Sequence, residues 1–60
     1  MRMNDLRVGK RYSFQFTHKR NLEAIVCEVD LDNKRFVIYN SITKEYEGIP
    51  SHRFINAEVL

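Results

Sequence analysis

Hydrophobic and polar positions alternate along most of this chain with a period of two. Tyr12, Phe14 and Phe16 are interleaved with Ser13, Gln15 and Thr17. One side of that segment is aromatic and the other polar, as a half-buried β-strand requires. His18, Lys19, Arg20 and Asn21 follow, all polar, and predict an exposed hairpin loop. Residues 22–29 carry apolar side chains on both parities. That predicts a strand covered on both faces or strongly curved. Residues 30–34 are rich in Asp and Asn, which make turns by bonding their own backbone. Residues 35–39, β-branched and aromatic, predict a third strand. Residues 40–44 form the next loop and residues 45–49 a fourth strand, ended by Pro50, which lacks an N–H. Residues 50–53 are too short for an α-helix and predict one 3₁₀ turn. Residues 54–59 alternate again as a fifth strand.

Ahead of these strands, residues 1–10 read as an arm and turn. Gly9 predicts a positive φ just before the first strand. Leu6 and Val8 are placed to plug one end of the core, with a single helical turn near Met3 to Leu6. Short strands at about ten-residue spacing, with turn signals between them, predict an all-β fold. Residues 11–60 are too few for two full sheets. The expectation is therefore one domain, a small five-stranded β-barrel, in which closure removes the open sheet edges. Gly48 is the expected kink or bulge.

The strand order, with a 3₁₀ turn before the last strand, resembles the SH3-like small barrels and, among them, the Sm-like form. Leu6-Arg7-Val8-Gly9-Lys10-Arg11-Tyr12 looks like the opening of such barrels. Residues 49–57 are similar in layout to the closing motif of the bacterial host-factor Sm-like proteins, where a Tyr-Lys-His triplet lines an RNA-binding pore. His52 matches the histidine of that triplet. Pro50 and Ser51 stand in place of its tyrosine and lysine, and the family's long N-terminal helix has no counterpart. The same stretch resembles the end of the Sm-like barrel in WYL domains, ligand-sensing modules of bacterial regulators, whose signature residues 35–39 only echo. The resemblance implies a small RNA- or ligand-binding barrel.

Composition narrows the chemistry. The 60 residues hold ten Lys and Arg, eight Asp and Glu, and one cysteine. A lone Cys27 forms neither an internal disulfide nor a cysteine metal cluster, and its apolar neighbours suit a small buried thiol. A reducing, cytoplasmic setting is expected, with no membrane span and no signal peptide. Charge is uneven. Residues 1–20 hold six basic groups and one acid, net +5, whereas residues 21–60 hold four basic groups and seven acids, net −3. A basic side of the molecule would complement phosphate through counterion release. The competing account is that scattered cations simply keep a small domain soluble.

The candidate nucleic-acid contacts are Arg7, Lys10, Arg11, His18, Lys19, Arg20, Asn21, His52 and Arg53. His52 and Arg53 either face a ligand or form a solvated corner. The aromatic residues of the first strand fit core packing better than base stacking. Tyr39 and Tyr46, brought together by pairing of the third and fourth strands, are the candidate stacking or protein-contact pair. No cofactor is expected. His18 and His52 lack a third metal ligand at recognisable spacing. Nothing in the chain matches a catalytic set, so no enzyme is expected. Two functions remain: a module binding RNA or another nucleic acid or nucleotide, and a phage-type or regulatory adaptor binding a host protein. A homo-oligomer is expected in either case, with the fourth and fifth strands as edges.

Overall fold

Five antiparallel strands form, each over a segment that the sequence predicts as a strand. They are β1 (Arg11–Phe16), β2 (Arg20–Asp30), β3 (Arg35–Asn40), β4 (Glu45–Pro50) and β5 (Phe54–Val59). Two 3₁₀ turns, Met3–Asp5 and Ser51–Arg53, complete the chain in this computed structural model, which describes all 60 residues. No helix is long and apolar enough to cross a membrane.

The sheet order is β4-β3-β2-β1-β5. Its shape follows from β2, the 11-residue central strand. β1 pairs with β2 along Arg20–Ile25, and β3 pairs with it along Ile25–Asp30, so the two ladders overlap only at Ile25. The register slips between Val26 and Glu28, leaving Cys27 as an unpaired bulge residue. A bulge bends a strand and sharpens its twist. Each half of β2 thus serves a different hairpin.

The bend wraps the sheet over one core. Buried there are Leu6, Tyr12, Phe14, Phe16, Ala24, Val26, Phe36, Ile38, Ile49 and Ala57, with no buried polar residue beyond the tyrosine. The Tyr12 hydroxyl accepts the Arg7 N–H at 2.9 Å. Phe36 on β3 meets Phe54 on β5 edge-on, with centroids 5.5 Å apart at 87°. Those strands are not neighbours in the sheet, so the contact spans the core.

Several expectations are corrected. The fourth and fifth strands are the edges, as expected, but no ladder joins them, so the bent sheet is not closed by hydrogen bonds. Gly48 pairs regularly with Val37 and marks no bulge. The irregularities fall instead at Cys27 and at Ile55, where the β1–β5 register shifts. Cys27 is half-buried, because it lies on the outward parity of β2 next to the inward Val26. Val8 is 63% exposed and plugs nothing, whereas Leu6 is buried. Gly9 does take a positive φ, of 89°. Finally, the first hairpin loop is shorter than residues 18–21. Arg20 and Asn21 already belong to β2, opposite Phe16 and Gln15.

Candidate functional site

Three hairpin turns share one feature. The residue before each following strand is a lysine in the left-handed conformation: Lys19 (φ 58°), Lys34 (φ 54°) and Lys44 (φ 60°). His18 beside Lys19 is left-handed too, at 62°. Asn or Gly suits such a position, and another L-residue pays roughly 1–2 kcal/mol there. Local bonding still builds the turns. Asp30 Oδ1 accepts the Asn33 N–H at 3.2 Å, and Asn40 Oδ1 accepts the Ile42 N–H at 3.0 Å. The Asn33 side chain and backbone hold the Asp30 carboxyl below its ordinary pKa. Three of the chain's four lysines therefore sit at a conformational cost on exposed tips.

Two of those tips meet at the 3₁₀ turn Ser51–Arg53. The Thr17 N–H donates to the Arg53 carbonyl at 2.9 Å, and the Ser51 N–H donates to the Lys34 carbonyl at 2.8 Å. The 3₁₀ turn is thereby pinned between the first and second hairpin tips. These bonds set the tips that carry His18, Lys19 and Lys34 against the turn that carries His52 and Arg53, a ridge drawn from three separate segments. None of these side chains forms a salt bridge. Asp32, in the same turn as Lys34, is the acid of this ridge without an ion pair.

Arg20 lies next to the ridge with its charge engaged. Its Nη2 donates to Glu47 Oε1 at 2.6 Å, and its Nη1 donates to Oε2. The guanidinium also stands over the Phe16 ring, 5.8 Å from the centroid. The pair joins β2 to β4, two strands that share no ladder. The Arg20 hydrogen bonds, helped by the charges of Arg20 and Arg53, hold the Glu47 carboxyl below its ordinary pKa. A depressed carboxylate contributes stability above its unfolded pKa, and that contribution is lost as pH falls through the folded value. Both side chains are 38% exposed, so solvent screening limits the pair to about 1 kcal/mol. Urea melts of the native protein and Glu47→Gln at neutral pH and below pH 4 are expected to differ by about 1 kcal/mol and to converge in acid. Parallel pH profiles would show that the pair contributes nothing.

The remaining candidate residues divide. Arg7, Lys10 and Arg11 lie at the opposite end of β1 from the ridge. Lys10 accepts the Val26 N–H through its carbonyl, and Arg11 faces Glu23 at 3.5 Å. Asn21 is exposed on β2, opposite Gln15. Tyr39 and Tyr46 are direct cross-strand partners with centroids 4.9 Å apart, tilted at 51°. Tyr12, Phe14 and Phe16 are core. Lys34 and Lys44 lie outside the candidate set, although each has a local signal, a lysine closing an Asx-type turn just before a strand.

No known family model, no curated protein and no solved structure matches this chain.

Proposed function

We propose that this chain is a binding module for single-stranded nucleic acid, RNA in preference, built on a bent five-stranded sheet of the SH3-like (Sm-like) kind. The ridge of Lys19, Lys34, His52 and Arg53 with His18 is its phosphate contact. The strand order, the shared bent β2 and the 3₁₀ turn before β5 support the architectural part. The observation that carries the functional part is that Lys19 and Lys34, both unpaired, are held at left-handed turn positions beside the turn of Arg53. Strained backbone persists where surrounding structure over-determines it, and it clusters at working sites. Solubility alone needs no lysine at a costly φ and no pinning of two turns to a third.

Binding of a mixed-sequence RNA strand is the test. With Lys19, Lys34 and Arg53 as contacts, log affinity should fall against log salt with a slope of about −2, since each contact contributes roughly −0.7 on a single strand. Affinity that ignores salt, or capture of one host polypeptide that survives nuclease treatment, would assign the protein to the adaptor class instead. The open β4 and β5 edges favour pairing between copies, which light scattering would report as a mass above 7.2 kDa.

A further inference from the structure

The outward side of the β3–β4 hairpin is a regular strip of three cross-strand pairs. Arg35 faces Pro50, Val37 faces Gly48 and Tyr39 faces Tyr46. The strip starts beside Lys34 on the ridge and runs about 13 Å to the tyrosines, at roughly 3.3 Å per residue. Lys44 stands on the turn beyond them. Arg35 is held only loosely, with Asp30 at 4.0 Å. No carboxylate occurs among the six residues. Glu28 on β2, opposite Val37, borders one side of the strip.

Gly48 is the informative position. A glycine inside a strand weakens it, and it usually marks a bulge, a tight bend or a close approach by a ligand or another backbone. The β3–β4 register is continuous, which removes the bulge. The φ of Gly48 is not left-handed, and a Cβ built there would meet no atom within 4 Å. Nothing inside the chain requires the glycine. What its missing side chain leaves is a flat, bare step beside Tyr46, which is itself 70% exposed.

We infer that this strip is a stacking subsite for an unpaired base, with Tyr39 and Tyr46 as platform, Gly48 as the clearance beside it, and Lys34, Arg35 and Lys44 meeting the flanking phosphates. The inference rests on the nucleic-acid reading and adds to it what the ridge alone does not supply, contact with the base. Aromatic side chains stack any base, so the subsite is tolerant of sequence. A base paired in a duplex has no free face to offer, so the ligand is single-stranded. The cations at both ends of the strip favour this ligand over a protein partner, although Glu28 borders its middle and Asp30 lies 4.0 Å from Arg35.

The test compares a short mixed-sequence RNA strand with an abasic strand of the same length and charge, by fluorescence anisotropy at one low salt concentration. The native protein should prefer RNA by about tenfold or more, the range that base–aromatic stacking supplies. Tyr46→Ala should bring the two strands to equal affinity, and Tyr46→Phe should keep the preference. Gly48→Leu, whose side chain enters open space, should also equalise them with an unchanged circular dichroism spectrum. Because the chain has no tryptophan and Tyr12 is buried, quenching of tyrosine emission by RNA but not by the abasic strand is a second readout. Equal binding of both strands by the native protein, or a preference surviving Tyr46→Ala, overturns the subsite, leaves the phosphate ridge standing and turns the tyrosine face over to a protein partner. Binding of neither strand overturns the nucleic-acid reading and the subsite together.

Discussion

Phe14→Ala is expected to leave the chain unfolded in water at room temperature. Phe14 is fully buried at the centre of the bent sheet. Its ring packs against Tyr12 at 5.7 Å, Phe16 at 5.4 Å, Phe36 at 5.7 Å and Phe54 at 6.4 Å. These contacts include every other phenylalanine of the protein. Truncating a buried phenylalanine costs about 3–5 kcal/mol, part for lost burial and part for the cavity left behind. A domain of this size holds only about 3–9 kcal/mol in total, at the usual stability per residue. Phe14 also reaches across the core to Phe36 on β3, a strand that shares no ladder with β1. Far-ultraviolet circular dichroism and a urea titration would measure the effect, with Val8→Ala, on the exposed arm, as the silent control. A cooperative transition of Phe14→Ala within 1 kcal/mol of the native protein's, on the scale of a typical surface substitution, would contradict the packing described here.

Reversing Lys19 and Lys34 together to glutamate is expected to lower RNA affinity by about 50–100-fold at 50 mM salt, because each lost phosphate contact forfeits a factor of roughly eight by counterion release. The double variant should also flatten the salt dependence, cutting the slope by about 1.4. The fold should be untouched, since both side chains are exposed and unpaired. Glutamate is no better suited than lysine to a positive φ, so the strain at these turns is kept while the charge changes. Reversal of Arg7 and Lys10, at the far end of β1, is the matched control and should cost little. If that control pair weakens binding as much as the ridge pair does, affinity follows net charge and the ridge has no special part in it. An unchanged slope in the ridge variant would remove Lys19 and Lys34 from the contact set.

Particular residues show how far a linear reading reaches. The inward positions of Tyr12, Phe14 and Phe16 follow from alternation alone, because a strand sends successive side chains to opposite faces, whereas Phe36 and Ile38 share their strand with apolar residues of the other parity. Pro50 and the Asp- and Asn-rich segments place the turns to within a residue or two. The pairing of Tyr39 with Tyr46 follows from the short loop between their strands. Gly48 misleads, because a strand glycine reads as a bulge signal and the bulges fall at Cys27 and Ile55, which carry no such mark. Arg20 misleads in another way. It reads as one of four polar loop residues, yet its guanidinium is occupied by Glu47, 27 positions away. Of the ridge, His18, Lys19, His52 and Arg53 are candidates from the chain alone. Lys34 joins them only when the 3₁₀ turn docks between two hairpin tips.

Strand number, strand limits to within a few residues and the buried side of β1 belong to the amino-acid sequence, because side-chain alternation and turn chemistry act over two to four neighbouring residues. The bend of β2, the ion pair between β2 and β4, the open edges and the gathering of separate cations into one ridge were decided by tertiary structure. They depend on register and curvature between distant segments, where a one-residue slip at Cys27 redirects everything that follows.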